Sequence, residues 1–193
     1  MQPNVAPFLA VLDPADTATG GGTASALAGA MAAALAGKVA RLSVPLTQMG
    51  SEAFFLGLAA NAEALAADLL QGGAEDSAAF KSLQAAYRLP RQTDEEKSGR
   101  SRAIQQAALH AAAVPLANAG RCRQVVEMCA ALTCHSNANA ASDLECAGHL
   151  ARAGLLGCLA NVEINLPLLK DELEVIRLTG RVRELREAAE SAE

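Results

Sequence analysis

The chain has 193 residues, 51% of them hydrophobic and only 3% aromatic, with no Trp. That length suffices for one domain, 1–193, with a proper core, and the apolar content excludes intrinsic disorder. A net charge of −5, from 16 basic and 21 acidic residues without a Lys/Arg run, excludes the basic face of a nucleic-acid-binding domain.

Ala and Leu dominate the apolar residues, and both form helices readily. Gly and Pro are too sparse for the regular turns of an all-β protein, so the composition predicts an all-α fold. Phe8-Leu9 with Val11-Leu12 reads as a short opening helix, stopped at Asp13-Pro14. Thr19-Gly20-Gly21-Gly22-Thr23 is the entry to a helix over about 24–42. Gly29, Ala33 and Gly37 recur every four residues, so another backbone can approach this helix closely, and it is expected at the centre. Val44-Pro45 ends it. A second helix is expected over 52–70, stopped by Gly72-Gly73, and a third over 75–87, ending before Pro90. Thr93-Asp94-Glu95-Glu96 has the pattern of a capping box, opening a helix that reaches about Leu132. Pro115 within it should kink or break it.

After an Asn-rich loop, a helix is expected from about Asp143 to Asn161, with extended or turn structure over 162–167. A last amphipathic helix runs over 170–189, its buried stripe supplied by Leu173, Ile176, Val182 and Leu185. The sum is an antiparallel bundle of five to six long helices. So Ala-rich a bundle leaves apolar surface for a second subunit, and a homodimer is the expected assembly.

Met1-Gln2-Pro3-Asn4 lacks the basic start of a secretory leader. Five cysteines, odd in number and without Cys-x-x-Cys, read as reduced thiols in a cytoplasmic protein. Thr17 to Gly37 is uncharged, but its glycines and alanines favour a buried helix over a membrane span. Cys134, His135, Cys146 and His149 lack paired metal-ligand spacing, so no metal is expected.

The densest polar cluster is Asn137-Ala-Asn139-Ala-Ala-Ser142-Asp143. Two carboxamides, a hydroxyl and a carboxylate suit a helix N-terminus better than a helix interior. Asn137 and Asn139 can both donate and accept, as a heterocycle edge requires, or simply form turns. Asp143 is the candidate acid/base, or else a first-turn carboxylate satisfying the helix dipole. Ser142 is more naturally a cap than a nucleophile. Gly20, Gly21 and Gly22 either present backbone N–H groups to a ligand or permit a tight turn. Asn161 and Asn165 pose the same choice as the Asn137 pair.

Several segments in order resemble the formimidoyltetrahydrofolate cyclodeaminase and methenyltetrahydrofolate cyclohydrolase family. They are Phe8-Leu9 with the triple glycine, Asp76-Ser-Ala-Ala-Phe80 and Ala86-Tyr87-Arg88-Leu89-Pro90. Thr93 to Lys97 follows with Arg100 and Ile104-Gln105, then Val114-Pro115-Leu116, Asn137-x-Asn139-x-x-Ser142-Asp143 and Asn161-Val162-x-x-Asn165-Leu166. The resemblance implies a cyclodeaminase-like, all-α homodimer acting on a one-carbon-substituted tetrahydrofolate. The folate is substrate, so no separate cofactor is implied. One branch hydrolyses the 5,10-methenyl form to 10-formyltetrahydrofolate; the other cyclises the 5-formimidoyl form and releases ammonia. The resemblance adds Asp76 and Lys97 to the substrate-binding candidates, beside Gly20, Gly21, Gly22, Asn137, Asn139, Asn161 and Asn165.

Three departures stand out. Thr19 and Thr23 replace a Pro and a Ser of the family's usual glycine turn. His135-Ser136 stand where a basic residue and Gly are usual. Residues 43–52 contain no Lys where the family commonly has a Lys-rich segment. The last of these motivates an alternative: a non-catalytic folate-binding or structural paralogue.

Overall fold

Residues 10–46 and 50–190 are described by the structure, a computed structural model. Five long helices carry the described residues: α1 (Gly21–Ser43), α2 (Glu52–Tyr87), α3 (Asp94–Leu132), α4 (Ala141–Asn165) and α5 (Glu172–Glu190). Two single-turn 3-10 helices, Ala138–Ala140 and Leu166–Leu168, flank α4, and no strand occurs among the described residues. Residues 10–12 are helical; the Phe8-Leu9 part of the expected opening helix lies outside the described residues.

Local chemistry sets most helix starts. The Ser51 side chain accepts the Phe54 N–H at 3.2 Å. Thr93 and Glu96 form the reciprocal box, with Glu96 N–H on Thr93 Oγ1 at 3.1 Å and Thr93 N–H on Glu96 Oε2 at 3.1 Å. Such a cap is worth about 1 kcal/mol.

α1 lies at the centre and packs on α2, α3 and α4, while α5 closes over α3 and α4. Small residues make this placement feasible. A Cβ on Gly29 would collide with Cys122 Sγ of α3, and one on Gly154 of α4 would sit 2.8 Å from Ser25 O. A Cβ on Gly37 would sit 2.9 Å from that of Ala62. Phe55, Leu69, Leu132, Leu155, Leu159, Leu178 and Leu185 fill the remaining core. Each such side chain contributes about 1.5–3 kcal/mol by leaving water.

Cross-contacts fix the directions. The start of α1 meets late α2 and late α4, whereas its end meets early α2 and early α4. α1 is therefore antiparallel to both. Arg100 Nη2 of α3 donates to Tyr87 O of α2 at 3.0 Å, which sets α3 antiparallel to α2.

The structure corrects four sequence expectations. The second and third expected helices are one, because α2 runs straight through Gly72-Gly73. These glycines serve close approach rather than termination: a Cβ on Gly72 would enter the Asn118 side chain, and one on Gly73 would lie 3.5 Å from Ala26 Cβ. Pro115 does not break α3; it is buried, and the turns on either side are held by core packing. α4 continues through 162–165 into the 3-10 turn, because Asn165 Nδ2 binds the Asn161 and Ala111 carbonyls at 2.8 and 3.1 Å. In α5, Leu173 and Ile176 are 79% and 67% exposed. The buried stripe is instead Leu178, Val182, Leu185 and Ala189, because at 100° per residue Leu173 and Ile176 fall on the opposite face of the helix.

Candidate functional site

Asp16 shapes the approach to α1. Its Oδ1 accepts the Ala18 and Thr19 N–H groups at 2.9 and 3.1 Å, and its Oδ2 accepts the Thr19 hydroxyl at 2.8 Å. These bonds turn the chain into Gly20, which begins α1 without any side-chain cap. The donors of the first turn are therefore open to an outside acceptor.

Asp76 of α2 takes that place. A Cβ on Gly22 would collide with its carboxylate, so glycine is what admits the carboxylate to the first turn of α1. The Thr23 N–H donates to it, and the Thr23 hydroxyl oxygen lies 3.5 Å from its Oδ2. The carboxyl sits above its usual titration range because burial disfavours the charge, and the Thr23 bonds oppose this only in part. It makes no ion pair with another described residue. Its charge reaches the buried Cys158, whose thiol is pushed up chiefly by its hydrogen bond with Cys122 and by burial. Cys158 is therefore an inert thiol.

Asn161 and Asn165 of α4 complete the wall. Asn161 Nδ2 donates to Gly157 O at 2.8 Å and lies against Gly21. Asn165 Nδ2 is likewise spent on backbone carbonyls. Both side chains thus leave an oxygen to accept. Gly20, Gly21, Gly22, Asp76, Asn161 and Asn165 together line a cavity of about 180 Å³, with Phe80, Ala111 and Ile164 as its apolar face. That is below the roughly 300–1,000 Å³ of a typical ligand pocket, so it accommodates one ring system and not a long tail.

The other expected residues lie elsewhere. Asn137 secures the far end of α1: its N–H donates to Ser43 Oγ at 2.9 Å and its Nδ2 to Leu42 O at 3.2 Å. Its Oδ1 accepts the Asn139 N–H at 3.0 Å, forming the 3-10 turn. Asp143 is ion-paired with Lys38 at 2.7 Å. Ser142 does not cap α4; the N-cap is Ala140 and Ser142 lies exposed in the first turn. Lys97 is exposed and pairs with Asp94 at 2.8 Å. The Asn137–Asp143 corner and the glycine bend thus occupy opposite ends of α1, about 30 Å apart at 1.5 Å per residue. Within one chain they do not share a site.

Sequence reasoning missed Thr23, Ser77, Thr19 and Asp16. A usable signal was present: Thr19 and Thr23 stand four apart across the glycines, and Asp76-Ser77 continue the polar run begun by Glu75 just after the Gly72-Gly73 pair. Two larger grooves occur on α3/α5 and at the start of α5. In the first, Arg177 and Arg181 are already ion-paired with Glu174 and Glu184, and the second is mainly aliphatic.

Comparison with known proteins follows this geometry. The family model described as formiminotransferase-cyclodeaminase matches residues 4–184. The chain is 40% identical over 98 residues to a methenyltetrahydrofolate cyclohydrolase of Methylorubrum extorquens, covering 51% of this chain and 47% of that protein. It is 31% identical over 116 residues to the formimidoyltransferase-cyclodeaminase of Sus scrofa, covering 60% of this chain and 21% of that protein. The matches thus span about half of the bacterial relative and a fifth of the mammalian one. The crystal structure of a formiminotetrahydrofolate cyclodeaminase from Thermotoga maritima superposes with a TM-score of 0.79 at 26% identity, covering 94% of this chain and 87% of that one.

Proposed function

This chain belongs to the formiminotransferase-cyclodeaminase family, and we propose that it hydrolyses 5,10-methenyltetrahydrofolate to 10-formyltetrahydrofolate. The observation that carries this reading is the Asp76 carboxyl. It faces a ring-sized cavity with no cationic partner among the described residues, and burial raises its titration above the usual carboxylate range. A base is most effective when its pKa approaches the working pH. The methenyl carbon carries an amidinium charge, so water adds once a base takes its proton. Asp76 fills that role, and the negative carboxylate also stabilises the cation before attack. The free oxygens of Asn161 and Asn165 accept from the pterin N–H groups. The Gly21 and Gly22 end of α1, beside the Asp76 carboxylate, lines the same cavity.

The 40% identity to a cyclohydrolase supports hydrolysis. Cyclisation of 5-formimidoyltetrahydrofolate with ammonia release uses the same constellation, with Asp76 handing a proton to the leaving amine. A second reading, a non-catalytic folate-binding paralogue, is favoured by the absence of Lys over 43–52, part of which lies outside the described residues. Decay of the methenyl absorbance and release of ammonia, each measured above its spontaneous rate, separate the three. Turnover of neither substrate with folate binding retained would leave the paralogue.

We assign no metal or separate cofactor to this reaction. Lys97, Asn137, Asn139, Ser142 and Asp143 reach this cavity only if a second copy brings them there. A homodimer is part of the proposal, and the outward face of α2 supports it. α1 and α2 are both long and apolar enough to cross a membrane by length and composition. Over half of that stretch in α1 is buried inside the fold, but only 28% in α2. Leu56 and Leu70 are exposed on one side of it. We assign that face to a second copy in the cytoplasm.

A further inference from the structure

We propose that Thr23, Ser77, Thr19 and Asp16 form a relay that carries the reaction proton from Asp76 to solvent. This inference rests on the hydrolytic reading, because converting the methenyl cation and water into a neutral formyl product releases one proton overall. That proton leaves from the cavity wall, where Asp76 is half-buried and has no cationic partner among the described residues.

The oxygens stand in series, with two links at hydrogen-bond length and two, at 3.3 and 3.5 Å, that must shorten for transfer. Thr23 Oγ1 lies 3.5 Å from Asp76 Oδ2 and 2.9 Å from Ser77 Oγ. Ser77 Oγ lies 3.3 Å from Thr19 Oγ1, which donates to Asp16 Oδ2 at 2.8 Å. Each hydroxyl has one proton to give and lone pairs to receive another. The fixed Thr19-to-Asp16 bond sets the direction: Ser77 then donates to Thr19 and Thr23 to Ser77, leaving a Thr23 lone pair for protonated Asp76. Thr23 Oγ1 also lies 3.1 Å from Gly73 O, the acceptor it uses between transfers. The Gly73 bond alone satisfies the Thr23 hydroxyl, yet the series of hydroxyls continues outward.

The steps balance. The water oxygen bonds to the substrate carbon as one of its O–H bonds breaks and the amidinium C=N electrons return to nitrogen, and that proton goes to Asp76. The C–N5 bond then breaks as the adduct's remaining O–H proton moves to N5, leaving the 10-formyl group. Asp76 gives it to Thr23, Thr23 gives its own to Ser77, Ser77 to Thr19, and Thr19 to Asp16. Asp16 releases it to water, and rotation of the three hydroxyls resets the chain. No electron is transferred. Asp16 suits the outlet because the Thr19 hydroxyl, the Ala18 and Thr19 N–H groups and the nearby Lys81 hold it below the usual carboxylate range, so it does not retain the proton. Thr19 stands where the family's usual turn has a proline, which carries no hydroxyl.

The test uses the full chain with Thr19→Val, Ser77→Ala and Asp16→Asn. The amide of the last variant still accepts the N–H bonds of the turn but takes no proton. Methenyl hydrolysis is followed against imidazole concentration, with the spontaneous rate at each concentration subtracted. The expected result is a kcat lowered by about tenfold or more in dilute buffer, consistent with the size of general acid–base effects. KM stays unchanged, and imidazole restores kcat toward that of the unaltered protein. Unaltered kcat in all three variants would overturn the relay, and so would a loss that imidazole does not restore, which marks a merely structural role. If the unaltered protein itself gives no turnover, the hydrolytic reading fails and the relay with it.

Discussion

At the scale of single residues, Asp76 and Gly22 act as one unit. The carboxylate reaches the first turn of α1 only because Gly22 has no side chain. Gly22→Ala should therefore displace Asp76 and lower kcat by about a hundredfold, the expected effect of misplacing a reacting group by an ångström. Steady-state kinetics checks this, and kcat within twofold of the unaltered value would contradict it. Asp76 also leaves a thermodynamic signature. Its folded pKa is raised, mainly by burial, so its contribution to stability is fully present below the unfolded value of about 3.9 and is lost as pH rises through the folded value. Asp76→Asn has no such loss. Urea unfolding at a series of pH values should show the variant gaining on the unaltered protein from about pH 4 upward, then levelling off. A difference independent of pH would mean that the carboxyl is not perturbed. By contrast, the exposed Lys38–Asp143 pair contributes at most about 1 kcal/mol.

At the scale of helices, the informative contrast is between two kinds of glycine. Gly72 lies inside α2, and its missing Cβ is where the buried Asn118 side chain sits, with Asn118 Nδ2 lacking a partner. Gly99 lies in α3 with nothing within 4 Å. Gly99→Ala should stabilise by about 0.5–1 kcal/mol through helix propensity. Gly72→Ala should destabilise by about 1–3 kcal/mol through overpacking. Denaturant midpoints read both, and a stabilising Gly72→Ala would refute the close approach. This contrast also explains what the sequence left illegible. The Thr93–Glu96 box was readable because its partners are three residues apart. Gly72-Gly73 was not, because a helix stop and a close crossing look alike until the partner helix is known. Leu173 and Ile176 mislead for a different reason: an apolar side chain marks a candidate face, but these two stand opposite Leu178, Val182 and Leu185, and only the packing shows which face is covered.

At the scale of the molecule, composition alone carried the all-α class, and the four-residue spacing of Gly29, Ala33 and Gly37 carried the central position of α1. The site was legible only in part. Gly20–Gly22, Asp76, Asn161 and Asn165 are dispersed over 146 residues of sequence, yet antiparallel packing brings them to one end of α1. The same packing sends the Asn137–Asp143 corner to the other end. Both regions are polar breaks beside helix starts, so the sequence does not distinguish them; the length of α1 does. The exposed apolar face of α2 makes its own prediction. Light scattering should give twice the 19.7 kDa chain mass, and Leu70→Glu should shift it to the monomer. A monomer before any substitution would contradict the assembly.

The most direct measurement compares Asp76→Asn with Asp143→Asn in the methenyl absorbance assay. The account requires acceleration by the unaltered protein, its loss by about 10²–10⁴-fold in Asp76→Asn, and its retention in Asp143→Asn. Loss in Asp143→Asn with activity preserved in Asp76→Asn would move the chemistry to the far end of α1 and contradict it.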